Sequence, residues 1–161
     1  MLGFYSCKED PKVDVIYTLE CSSNLIDMAV IEVSHKVNSE QPEVFLISES
    51  EWEESENGGT KKWTKSYSHN DFSSVDEELS VSYIAKKNIE RDTVSASIFT
   101  HNLDATIKLW DEDGDYLERP ASMSMSMNIN LGEHSITNEI DSLHDYIGVH
   151  IESNGTIREL K

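Results

Sequence analysis

The stretch Ala121–Leu131 (ASMSMSMNINL) alternates apolar and polar residues without a break. Ala121, Met123, Met125, Met127, Ile129 and Leu131 fall on one side; Ser122, Ser124, Ser126, Asn128 and Asn130 fall on the other. A β-strand points successive side chains to opposite faces, whereas a helix would scatter these residues around its circumference. The chain is therefore expected to be built on an antiparallel sheet, with this strand packed by its methionine face.

The same period recurs. Val13, Val15, Tyr17 and Leu19 alternate after Pro11 and predict a strand. Leu79, Val81, Tyr83 and Ala85 predict a second, Val94, Ala96 and Ile98 a third, and Leu103, Ala105, Ile107 and Leu109 a fourth, with polar links at Asn88–Asp92 and His101-Asn102. Links this short favour antiparallel neighbours, so 79–131 is expected to form a meander of four strands.

Asn57-Gly58 is a strong hairpin signal, because both central residues of a type I′ turn need positive φ. With these two as the loop, Glu54 falls opposite Lys61, Glu53 opposite Lys62 and Trp52 opposite Trp63. These pairings are all favourable across strands and define a hairpin over 44–67. A second Asn-Gly pair, Asn154-Gly155, marks a terminal hairpin within 147–160.

Two segments carry a helical period. Ile26, Ala29, Val30, Val33 and Val37 share one helical face behind Ser23, although four residues after Met28 are β-branched. Ile136, Ile140, Leu143 and Ile147 are spaced by four, three and four between Ser135 and Gly148, predicting a helix at about Ser135–Ile147. The expected fold is thus a β-rich α+β domain over residues 1–161. It has an antiparallel sheet of six or more strands covered by one or two helices. A β-sandwich, with the methionine face against a second sheet, is the alternative.

Charge limits the partners. The 161-residue chain carries 31 acids against 13 bases, a net charge of −18, and both halves are acidic. Such a field repels nucleic-acid phosphates and anionic membranes and attracts basic proteins, although it also serves plain solubility. No apolar run reaches the length of a membrane span. Met1–Asp10 lacks a basic region followed by an apolar run, so a cytoplasmic chain is expected; a trimmed secreted or lipid-anchored precursor, with Cys7 near its start, is the alternative. Cys7 and Cys21 match no zinc or redox spacing and are expected as two reduced thiols, with one disulfide as the alternative.

No reaction-class motif is present. Asp111, Asp113 and Asp115 occupy the first ligand positions of a calcium loop, but Tyr116 stands where its glycine should be and Ser122 where its glutamate should be. Asp113-Gly114 reads more simply as a turn between Trp110 and Tyr116. Among His35, His69, His101, His134, His144 and His150 no pair has the spacing of a helical zinc site, and His144 with Asp141 or Asp145 reads as a solvated helix face. No nucleophile elbow or phosphate loop appears. Neither enzymatic activity nor a metal or other cofactor is expected.

What remains is recognition. Glu49, Glu51, Glu53, Glu54 and Glu56 surround Trp52, and Asp111, Glu112, Asp113 and Asp115 form a second acidic group. The expectation is an inhibitor-type protein that pairs these carboxylates with Lys or Arg of a basic protein, an aromatic anchor supplying the desolvated centre. Its profile is that of small acidic bacterial immunity proteins that neutralise basic nuclease toxins, an analogy of composition and not of motif. A β-sandwich module for carbohydrate or calcium is the alternative, and an enzyme without a visible motif comes third.

Overall fold

The structure is a computed structural model and describes residues 12–56, 58–70, 75–86, 98–110, 116–130, 147–153 and 155–160. In chain order the elements are β1 (Lys12–Ser22), α1 (Ser23–Met28), β2 (Ala29–Val37), β3 (Glu43–Leu46), a 3-10 turn (Glu49–Glu51), β4 (Glu53–Glu54), β5 (Thr60–His69), β6 (Glu77–Ala85), β7 (Ile98–Trp110), β8 (Tyr116–Asn130), β9 (Ile147–Ile151) and β10 (Ile157–Glu159). The strands form two five-stranded sheets, β4-β5-β1-β7-β8 and β10-β9-β6-β2-β3, in which every pairing is antiparallel.

The period-two pattern explains why the sheets stack. On β1, Val13, Val15, Tyr17, Leu19 and Cys21 are buried, while the residues between them are only half-buried. On β6 the buried set is Glu77, Leu79, Val81 and Tyr83, and on β7 it is His101, Leu103, Ala105 and Ile107. These faces meet in one core. Contacts between the sheets include Tyr17 to Glu77, Tyr83 to His101, and Phe45 to Trp63 at 6.1 Å between ring centroids.

Two sheets of five strands replace the expected single sheet of six or more. Leu79–Ala85 and Leu103–Leu109, read as meander neighbours, lie in opposite sheets, because each sheet needs a second apolar face to cover its own. The expected break at His101-Asn102 is absent: β7 runs through it, since His101 continues the inward alternation of Leu103, Ala105 and Ile107. Val94 and Ala96 lie outside the described residues.

The helical reading of Ser23–Val37 holds only for α1. From Ala29 the chain becomes β2, with Ala29, Ile31, Val33 and His35 buried, so the β-branched run follows the sheet period. Among the described residues α1 is the only α-helix. At six residues it connects β1 of one sheet to β2 of the other and buries Leu25 and Ile26 in the shared core. The helix expected at Ser135–Ile147 lies outside the described residues except for Ile147, which begins β9.

The charge pairing expected for the first hairpin is found. Glu53 pairs with Lys62 and Glu54 with Lys61. The Gly58 N–H donates to the Ser55 carbonyl at 3.0 Å and the Ser55 N–H to the Thr60 carbonyl at 3.1 Å, so the loop spans 56–59 rather than two residues. One extra residue on each side leaves the register unchanged. Gly58 and Gly59, at φ +65° and +81°, supply the left-handed positions. At the C-terminal end Ile157 pairs with Ile151 and Arg158 with His150, around a loop in which Gly155 has φ +81°.

The strand that organised the sequence, within β8, is paired with β7: Met123 lies opposite Ala105, Met125 opposite Leu103 and Met127 opposite His101. The β7–β8 register shifts between Ala105 and Ile107, next to Pro120. Proline has no ladder donor and is tolerated here because β8 is an edge strand with a bulge. Trp110 pairs with Tyr116, as a hairpin at 111–115 requires; the connecting residues themselves are outside the described set.

Candidate functional site

The acidic run predicted from sequence is the segment by which the chain leaves one sheet for the other. β3 pairs with β2, β4 pairs with β5, and residues 47–52 cross between them. The expected 44–67 hairpin is therefore a crossing followed by a shorter hairpin. Glu49, Glu51, Glu53, Glu54 and Glu56 are all exposed on it, and Trp52 is half-buried against the core.

The five carboxylates are not equivalent. Glu51 closes a capping box: its Oε2 accepts from the Ser48 N–H at 2.8 Å and from the Ser48 hydroxyl at 2.8 Å. These bonds hold its pKa below the usual carboxylate range, with the Trp63 indole N–H and the Lys65 charge contributing less. Glu54 lies 3.4 Å from the Lys61 ammonium. Glu49, Glu53 and Glu56 make no ion pair among the described residues. Glu51 thus shapes the crossing, while Glu49, Glu53 and Glu56 remain available to a partner. The second predicted group, Asp111, Glu112, Asp113 and Asp115, lies outside the described residues.

The two tryptophans separate. Trp63 is 1% exposed and packs near Phe45, whereas Trp52 forms part of the wall of a cleft of about 350 Å³. Ile26, Ala29, Leu46 and Ile47 supply much of the apolar remainder, and Glu49 joins the lining. The sequence placed Glu49 and Trp52 in one patch; the cleft between them and α1 was not legible, because it requires β2, β3 and the crossing to converge.

Sequence reasoning also missed two buried polar clusters. At the other end of β2, the Glu77 carboxylate is fully buried between the sheets. It accepts from the Tyr17 hydroxyl at 2.9 Å, faces His35 Nε2 at 3.0 Å through Oε1, and faces His69 Nε2 through Oε2. The His35 ring stacks on Tyr67 at 3.7 Å. Burial, and secondarily the Glu77 charge, drives the Tyr17 hydroxyl pKa far above its ordinary value; burial with the Glu43 and Glu77 charges pushes Tyr67 to about 12. The two imidazoles meet opposite oxygens of one carboxylate rather than a common point, and no group of three ligating side chains among the described residues is arranged to hold a metal ion. The only hint in the sequence was Glu77 and His35 falling on apolar positions of strands.

In the second cluster, the Tyr83 hydroxyl lies 2.6 Å from His101 Nδ1 and 3.8 Å from Cys21 Sγ. Cys21 is a free, buried thiol, its pKa pushed up to about 12 by burial. Burial lowers His101 to about 4. The sign follows directly: between pH 6.5 and 4 the unfolded chain binds a proton at this residue that the folded chain refuses, so stability falls on acidification. Unfolding by urea at pH 7 and pH 5 should show a loss of about 2 kcal/mol from this residue, absent in His101→Gln. An equal pH dependence in the variant would contradict the assignment.

Comparison with protein-family models, curated proteins and solved structures returns no match. No helix among the described residues is long and apolar enough to cross a membrane.

Proposed function

We propose that this is an acidic recognition protein that binds and neutralises a basic partner protein through the crossing at Glu49–Glu56. A toxin–immunity pair is one setting with this chemistry. The supporting observation is the division of labour among the glutamates: Glu51 and Glu54 are engaged within the chain, and Glu49, Glu53 and Glu56 are exposed without an ion pair among the described residues. They stand beside a half-buried tryptophan, and a desolvated aromatic ringed by charge is a recurrent form of binding hot spot. With a net charge of −18, long-range attraction would steer a cationic partner and speed its encounter.

Capture on the immobilised full chain from lysate of its source, eluted by a salt gradient, tests this. One stoichiometric basic protein released at moderate to high salt is the expected result. Diffuse, low-salt background alone would mean that the charge serves solubility.

A further inference from the structure

We infer that the cleft beside the crossing receives a large apolar side chain of the basic partner, presented on a segment with lysine or arginine on one side of it only. This rests on the recognition function proposed above and specifies the partner's chemistry. The cleft's 350 Å³ is ample for one aromatic side chain, and its walls are chiefly aliphatic groups from α1, β2, β3 and the crossing. Leu46 in that wall is 54% exposed, and Val44, two residues earlier on β3, is 55% exposed. Among the described residues β3 is an edge strand of its sheet, so an arriving segment finds exposed apolar surface along it.

Charge fixes the orientation. The lining holds one anion, Glu49, and one cation, Lys86. Lys86 follows β6 on one side of β2, and Glu49 follows β3 on the other; Glu53 and Glu56, both exposed, come after Glu49 in the chain. A cationic flank is attracted towards Glu49 and repelled by Lys86, so the basic residues belong on one side of the anchor and a neutral stretch on the other. The apolar contact supplies affinity that persists in salt; the glutamates supply the salt-dependent part.

The test is titration of the isotope-labelled full chain with three capped peptides, followed by backbone and indole N–H resonances. The peptides are Gly-Lys-Arg-Lys-Phe-Gly-Ser, the same peptide with Ala for Phe, and Gly-Glu-Asp-Glu-Phe-Gly-Ser. The Phe-containing basic peptide should shift Ala29, Val30, Ile47 and the Trp52 indole, and bind tenfold or more tighter than its Ala counterpart; the acidic peptide should leave these signals in place. Leu46→Lys, a change at an exposed position, should abolish that tenfold preference with the spectrum otherwise retained. Equal binding of both basic peptides, with shifts confined to Glu49–Glu56, would overturn the anchored cleft and leave the acidic surface standing. Preferential cleft binding by the acidic peptide, or no shift with either basic peptide at millimolar concentration, would overturn both. Cleft shifts that grow with concentration of the chain alone would assign the cleft to a second copy and overturn the inference.

Discussion

Glu77→Ala should lower the unfolding free energy by about 3 kcal/mol or more, because it removes an acceptor on which several buried groups converge. The Tyr17 hydroxyl and the Nε2 atoms of His35 and His69 all face this carboxylate, and Glu77 itself is wholly out of solvent. Each donor left without a partner in the core costs about 1–3 kcal/mol. Glu77→Gln should cost less, since it keeps one acceptor while turning an amide towards an imidazole. Glu78→Ala, one residue on, removes only a 3.7 Å contact to Lys36 at the surface and should change stability by less than about 1 kcal/mol. Urea unfolding of the three variants reads this order directly. A Glu77→Ala loss no larger than that of Glu78→Ala would show that the cluster does not hold the sheets together.

Trp63→Ala should cost about 3–5 kcal/mol, the usual range for deleting a large buried aromatic. Trp63 is 1% exposed and sits between β1, where Leu19 is its pairing partner, and Phe45 of the facing sheet. Trp52→Ala should cost less than about 2 kcal/mol, because Trp52 already has part of its surface in water. Chemical unfolding with an unchanged denaturant slope would place the difference in the folded state. Equal losses would contradict the separation of a core tryptophan from a cleft tryptophan.

The strands were legible because their inward sets are unbroken in the sequence: Val13 to Leu19, Leu79 to Tyr83 and Leu103 to Ile107 each bury every second residue. The hairpin pairing of Glu53 and Glu54 with Lys62 and Lys61 was legible because charge complementarity and Asn-Gly turn chemistry agree on one register. Which sheet a strand joins was not legible. Alternation identifies a buried face but not the face it meets, so β6 and β7 look like neighbours although they lie across the core. At Ala29–Val37 the 3.6 and 2.0 periods both fit the apolar residues. The buried His35 decides in favour of two, and a histidine is not counted as apolar in a sequence pattern.

The candidate site was legible as a list of charges and not as a shape. Glu49 and Trp52 are close in sequence, so their association was visible. Ile26 and Ala29 reach the same cleft only because α1 turns the chain from one sheet into the other. The roles of the glutamates were equally hidden. Ser48 and Glu51 have capping-box spacing, but the box matters only once Ser48 opens a 3-10 turn. The Glu77 cluster draws on β1, β2, β5 and β6, up to 60 residues apart in sequence, and no local rule could have assembled it.

The measurement that bears most directly on the central claim is salt-gradient capture repeated with the Glu49→Lys, Glu53→Lys, Glu56→Lys triple variant beside the wild-type chain. None of the three makes an ion pair among the described residues; Glu53→Lys sets a lysine opposite Lys62 in the β4–β5 register, at a cost of less than about 1 kcal/mol, so the variant should still fold. The protein retained by the wild type should be lost from the variant, or released at much lower salt. Retention of the same protein at the same salt would contradict the assignment of the crossing as the recognition surface.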